Sequence, residues 1–304
     1  MKEKIPNFFI VGAPKSGTTS LYKYLSTHPN IFMSTPKEPN FFSSDLNGLN
    51  CVNTLDEYQS LFKKTNKSQI IIGEASVWYL YSEKALTNIY DYNNNAKIIV
   101  MLRNPIDLYS SLHQHFIYNG FEDRENLTEA WQCQLSRKNG NNIPMSCPEP
   151  KLLQYGDVLK MGHQTDRLLS IFPKSQVKFI LFEDFVSKTL TEYKSVLSFL
   201  ELEYDGRDDF PIINESKQSK NKVLNDYLLN PPRCLRKIWK LLKKIIGNNI
   251  INLANKLILM NSKILIKKNN IDDILINNLK NQLTNDIKKL SINIDRDLKI
   301  WLQY

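Results

Sequence analysis

The chain has 304 residues, is 42% hydrophobic and 23% charged, and carries a net charge of +9. That composition suits a globular protein with a sizeable core, and no apolar run approaches the roughly 18 residues of a membrane span. No apolar leader precedes the first predicted strand, so a cytoplasmic location is expected. The cysteines, Cys51, Cys133, Cys147 and Cys234, lack C-x-x-C spacing, which argues against zinc. They are expected as isolated thiols, although Cys133 and Cys147 flank a segment that a bridge could close.

An apolar run over 7–12 reads as the first strand, and 19–26 as the helix behind it, with Leu21, Tyr22 and Leu25 on one face. His28-Pro29 ends that helix, and 30–33 is a short extended piece. A helix is predicted over 55–63, a strong strand over 69–74 and a helix over 82–90. A third strand over 97–102 leads into a helix over 106–118. Residues 137–150 hold Gly140, Pro144, Pro148 and Pro150 and read as loop. A helix follows over 153–172, with a weak stop at Gly162. A fourth strand covers 176–182, with Glu183-Asp184 at its end, and an amphipathic helix covers 189–200. Strands alternating with helices predict an α/β fold, a parallel sheet flanked by helices.

Beyond residue 221 the pattern turns helical and basic. Asn230-Pro231-Pro232 marks a break, 233–246 is a basic amphipathic helix, and 271–302 reads as one or two further helices. Residues 217–304 hold 18 Lys and Arg against 6 Asp and Glu, whereas residues 1–216 hold 22 against 25. We expect one domain over 1–304, an α/β core over 1–215 with a basic helical annex over 216–304. Such an annex can face a phosphorylated donor, an acidic glycan or an anionic membrane surface, the last through 233–246 with Trp239 at headgroup level. Burial of its apolar stripe against the sheet is the favoured alternative. Nucleic acid is not an expected partner.

The most informative segment is Phe8-Phe9-Ile10-Val11-Gly12-Ala13-Pro14-Lys15-Ser16-Gly17-Thr18-Thr19-Ser20. A strand feeds a small-residue loop that opens onto a helix, which is the layout of a phosphate cradle. Gly12 and Gly17 have the spacing of a nucleoside-triphosphate loop, but Thr18 stands where its lysine belongs, and the lysine is at position 15. A nucleoside or sugar kinase needs that lysine and a magnesium-binding acid after a strand. It is the alternative reading, with Glu183-Asp184 as the only mimic of the second feature.

Pro14 to Thr19 resemble the donor loop of sulfotransferases that use 3′-phosphoadenosine 5′-phosphosulfate (PAPS), which reads P-K-[ST]-G-T-[TS]. A second match follows the third strand, where Arg103-Asn104-Pro105 precedes Ser111 by the family's spacing of eight. The resemblance covers roughly residues 5–200. It implies a P-loop-type sheet and PAPS as donor, with no metal required. Lys15 then meets the bridging oxygen and 5′-phosphate. Ser16, Gly17, Thr18, Thr19 and Ser20 hold the 5′-phosphosulfate, and Arg103 and Ser111 hold the 3′-phosphate.

Sulfuryl transfer also needs a group that takes a proton from the acceptor. Lys37-Glu38 before Phe41-Phe42 resembles the pattern of glycan-modifying sulfotransferases, in which the glutamate is the base. Glu38 is the first choice, and a saccharide or glycolipid hydroxyl is the expected acceptor. Glu74 is the runner-up, but the family's Glu-Lys-[ST]-Pro becomes Glu74-Ala75-Ser76-Val77 here, without the lysine and proline. His28, His113, His115 and His163 are expected to be structural or exposed, and Phe41-Phe42 to lie in the core. The family's late basic loop falls on 214–222, without its usual arginine and glycines.

Overall fold

The computed structural model describes residues 5–213, 217–219, 262–264 and 271–303. The basic helix expected over 233–246 and most of the late basic loop lie outside the described residues. The chain divides into two compact units, one of Met1–Leu108, Gly156–Ile213 and Asp273–Tyr304, the other of Tyr109–Tyr155 and Asn214–Asp272.

The first unit is built on five strands, β1 (Phe8–Gly12), β2 (Ile31–Met33), β3 (Ile71–Ala75), β4 (Lys97–Leu102) and β5 (Val177–Leu181). They pair in the order β2-β3-β1-β4-β5, and every pairing is parallel. Parallel strands are covered on both faces, which is why they read as unbroken apolar runs. All five residues of β1 are buried. Gly73 pairs with Phe8, and a Cβ there would lie 2.5 Å from the Phe8 ring. The short extended piece predicted at 30–33 is an edge strand of this sheet.

Helices α1 (Thr18–Leu25), α2 (Leu55–Ser60) and α3 (Ala85–Tyr92) fall between these strands, and α4 (Pro105–Asn119) follows β4. The single helix predicted over 153–172 is in fact a 3-10 turn, α7 (Tyr155–Val158) and α8 (Met161–Ile171). Gly162 does not stop a helix but sits in the first turn of one. Its N–H and that of His163 donate to the Asp286 carboxylate at 2.7 and 2.9 Å, a helix cap delivered from 124 residues away. After β5 come α9 (Phe182–Ser187) and α10 (Thr189–Phe199).

The last helix, α11 (Asp273–Ile294), buries Leu275, Leu279, Leu283, Ile287, Leu290 and Ile294 along one stripe. It lies on α8 so closely that a Cβ on Gly162 would collide with the Asp286 carbonyl. Asn293 adds bonds to Gly162, Thr165 and Asp166, at 3.1, 2.9 and 2.8 Å.

In the second unit, α4 continues past Tyr109, and α5 (Leu127–Gln132) and α6 (Gln134–Lys138) follow. Residues 217–219 (β6) pair antiparallel with 262–264 (β7). The Tyr109 ring meets Trp131 and Tyr155 edge-on at 5.4 and 4.9 Å. Beneath them Arg137 and Glu122 form a fully buried ion pair. Tyr155 Oη donates to Glu122 at 2.8 Å and the Arg124 N–H at 2.8 Å, which satisfies the charges that burial would otherwise penalise. Cys133 and Cys147 are both free thiols.

Candidate active site

Strand order reverses at β1, whose neighbours are β3 and β4, and ligands of open α/β sheets gather beyond the carboxyl ends at such a point. The segment after β3 closes over that end. Ser76 N–H donates to Ile10 O at 3.1 Å and Leu80 N–H to Val11 O at 2.8 Å. A Cβ on Gly12 would meet Leu80 Cβ at 2.8 Å. The loop after β1 then turns through two left-handed residues, Lys15 (φ 59°) and Gly17 (φ 86°). Gly17 is the N-cap of α1, and no side chain caps the helix there. Its first-turn N–H groups form the positive end of a dipole that suits an anion. Thr18 is buried, Ser16 Oγ donates to Pro14 O at 3.3 Å, and Ser20 Oγ donates to Ile213 O at 3.4 Å.

Arg103 follows β4 and reaches back to this loop, donating from Nη1 to Lys15 O at 2.9 Å. Its guanidinium lies 4.5 Å over the Phe182 ring, a cation–π contact that fixes the fork. The next residue, Asn104, accepts from Ile106 N–H at 3.0 Å and so caps α4, while its own N–H donates to Glu183 at 3.1 Å. Burial, and then the positive charge of Arg103, lower the proton affinity of the Lys15 amine. Glu38 acts the other way and Lys37 adds to the lowering, so all four charges lie within electrostatic range. Lys15, Lys37, Glu38 and Arg103 are thus brought together. Ser111 lies on α4 within the second unit, partly buried.

Glu38 and Lys37 form an ion pair with side chains 35% and 16% exposed. Glu38 stands in a left-handed conformation (φ 62°), and its N–H donates to Ala75 O at 2.9 Å. Phe42 is buried, and Phe41 stacks on Tyr58 at 4.6 Å.

Glu74 has no exposed surface at all. Lying inside β3, it offers no face to an acceptor. Its carboxylate takes hydrogen bonds from Tyr58 Oη and Ser76 Oγ, each at 2.6 Å. Burial raises its pKa to about 7, against the pull of Ser76, Tyr58 and Tyr79 toward the charged form. Below about pH 4.5 the group is neutral folded and unfolded, and as pH climbs to about 7 only the unfolded chain ionises. Glu74 therefore costs stability progressively across that window, about 3 kcal/mol in all at roughly 1.4 kcal/mol per pKa unit. Glu74→Gln should remove this part of the pH dependence, measured as urea midpoints at pH 4.5 and 7.5. An unchanged slope would mean that Glu74 is ionised throughout.

His28 is buried, with Nδ1 accepting from Asn30 N–H at 3.1 Å and Nε2 at 3.2 Å from Glu203 O. His113 is buried, with Nε2 at 2.7 Å from Arg124 O, and His115 and His163 are exposed. Of the acidic pair after β5, Glu183 accepts from Asn104 N–H, and Asp184 pairs with Arg296 at 2.8 Å. Among the described residues no group of three or more His, Cys, Asp and Glu could hold a metal ion. No described helix is long and apolar enough to cross a membrane.

A family model described as "Sulfotransferase domain" matches residues 6–236. The chain belongs to the sulfotransferase family. This sets aside the kinase reading that the Gly12–Gly17 spacing left open, and it fits the lysine at 15 in place of 18. The chain is 28% identical over 293 residues to human "Carbohydrate sulfotransferase 15", covering 80% of this chain and 51% of that protein. Human "Bifunctional heparan sulfate N-deacetylase/N-sulfotransferase 3" is 32% identical over 115 residues, 37% of this chain and 13% of that one. The chain thus spans about half the length, or less, of these curated relatives. A crystal structure of a sulfotransferase from Alicyclobacillus acidocaldarius superposes with a TM-score of 0.72 at 27% identity, covering 98% of this chain and 99% of that one.

Tyr58 and Tyr79 escape the sequence, and Ser76 enters it only as part of the Glu74-Ala75-Ser76-Val77 segment that marks the runner-up base. Nothing in the spacing of Tyr58 and Tyr79 marks them as partners of Glu74.

Proposed function

We propose that this sulfotransferase moves the sulfuryl group of PAPS to a hydroxyl of a saccharide, with Glu38 as base and Lys15 on the leaving group. The convergence of Lys15, Arg103 and the Lys37–Glu38 pair at the carboxyl ends of β1, β3 and β4 is the observation that carries it. Glu38 takes the hydroxyl proton as the acceptor oxygen bonds to sulfur. The bond from sulfur to the bridging oxygen breaks, and its electron pair stays on the 5′-phosphate. Lys15 and the N–H groups opening α1 meet that developing charge. Crowded by Arg103 and Lys37, Lys15 gains most when an anion arrives. The printed names of the carbohydrate and heparan sulfate relatives support a saccharide acceptor.

Arg103, with Ser111 by family resemblance, is assigned the 3′-phosphate. The test is incubation with PAPS or ATP and a panel of heparan oligosaccharides, neutral hexosamine oligosaccharides and alkyl glycosides, read by mass spectrometry. Sulfated saccharide from PAPS is expected, and a phosphorylated product from ATP would overturn the function. Calorimetry tests the donor site. Arg103→Ala should weaken 3′-phosphoadenosine 5′-phosphate by about 1.5–3 kcal/mol, the scale of a charge-assisted hydrogen bond. Adenosine 5′-phosphate, lacking the 3′-phosphate, should be almost unaffected. Equal losses for the two nucleotides would contradict the assignment.

A further inference from the structure

The loop that carries Glu38 has no regular structure from Ser34 to Ser43. Glu38 (φ 62°) and Asn40 (φ 52°) both stand in the left-handed region, where a residue with a side chain persists only if its surroundings over-determine it. Part of that hold is local. Asn40 Nδ2 donates to Glu38 O at 3.0 Å and to Leu49 O at 3.2 Å. The rest runs inward. Asn40 N–H donates to Ser76 Oγ at 3.1 Å, and Phe42 N–H donates to Tyr79 Oη at 3.3 Å. Phe41 lies between them in sequence and stacks on the Tyr58 ring at 4.6 Å, 13° from parallel.

All three hydroxyls end on one group. Ser76 Oγ donates to Glu74 Oε1 and Tyr58 Oη to Glu74 Oε2, each at 2.6 Å, and the Tyr79 hydroxyl bonds to the same carboxylate. A hydroxyl has one proton. Spent on Glu74 in its ionised form, it leaves the oxygen lone pairs turned toward the backbone N–H groups of the loop. An apolar or missing group at 74 lets the Ser76 and Tyr79 protons rotate toward those N–H groups, donor against donor.

We propose that Glu74 is a positioning residue, the buried anchor that orients the Ser76, Tyr79 and Tyr58 hydroxyls and through them sets the loop that presents Glu38 to the acceptor. This rests on Glu38 being the base. Full burial keeps Glu74 from the reacting atoms, so it acts only through the loop.

The test uses the full chain and four single variants, Glu74→Gln, Ser76→Ala, Tyr79→Phe and Glu38→Gln, with PAPS and the best heparan oligosaccharide of the panel. Ser76→Ala and Tyr79→Phe each remove one hydroxyl and little volume, so they report even if Glu74→Gln fails to fold. Each of these two should lower kcat about tenfold. The calorimetric affinity for 3′-phosphoadenosine 5′-phosphate should stay as in the wild type, because Lys15 and Arg103 are untouched. The deciding measurement is a double-mutant cycle. In the Glu38→Gln background, Ser76→Ala and Tyr79→Phe should cost residual turnover nothing further, since orienting an absent base has no effect. Equal losses in both backgrounds would mean a general structural role and overturn the proposal. A dead Glu38→Gln variant beside fully active Ser76→Ala and Tyr79→Phe would overturn it while leaving the base in place. Full activity in Glu38→Gln would remove the base assignment, and this proposal with it.

Discussion

Glu38→Gln should fold, bind 3′-phosphoadenosine 5′-phosphate as the wild type does, and lose sulfation by about 10²–10⁴-fold, the range that a positioned general base supplies. The amide is nearly the same shape and still hydrogen-bonds, but it cannot take a proton at neutral pH. The structure sharpens this expectation. Glu38 is paired with Lys37 and partly open, whereas the other carboxylate considered, Glu74, has no exposed surface. Single-turnover rates of sulfate transfer, with calorimetry for the donor product, make the measurement. Near-normal turnover would move the base elsewhere in the cleft.

Lys15→Ala should cut turnover about 10²–10³-fold, the cost of removing one donor that meets charge developing in the transition state. The loss should fall mainly on kcat. The ground-state donor already carries the phosphate and sulfate charges that Arg103 and the loop N–H groups can hold, and the leaving oxygen gains its charge only as the bond to sulfur breaks. Lys15 has φ 59°, and its carbonyl accepts from Arg103. Alanine must keep that left-handed backbone to leave Arg103 in place. Lys15→Gly, which adopts it freely, is therefore the companion variant. Both should be equally slow. A Gly variant at wild-type turnover would deny the amine its role.

Much of this was legible because it is local. The strands over 97–102 and 177–181 are unbroken apolar runs, the signature of strands covered on both faces, and they appear within a residue of where the pattern put them. The donor loop is legible for a related reason. A strand end, a tight loop and a helix start need small residues at fixed spacing. The break in 153–172 was not legible, because the cap that starts α8 comes from Asp286 on another helix. Helices α5 and α6 are six and five residues long, too short for a periodicity to declare itself. Glu74 shows the same limit at the site. Its sequence neighbours give a motif-like segment, yet its meaning comes from Tyr58, sixteen positions upstream, and from complete burial. Burial separates a carboxylate that can act from one that can only hold, and it is a property of the assembled sheet.

The clasp between α8 and α11 also bears on how the protein is made. The first unit is assembled from three separate stretches of chain, and α11 opens the last of them. While the chain emerges from the ribosome, the donor loop, the base loop and all five strands are outside long before α11. Through that interval α8 has no Asp286 on its opening N–H groups, and the face that takes the leucine stripe of α11 stays wet. Closure of this unit therefore waits until α11 has been made. A premature stop between residues 214 and 272 would leave every catalytic candidate encoded and the unit that holds most of them unsealed.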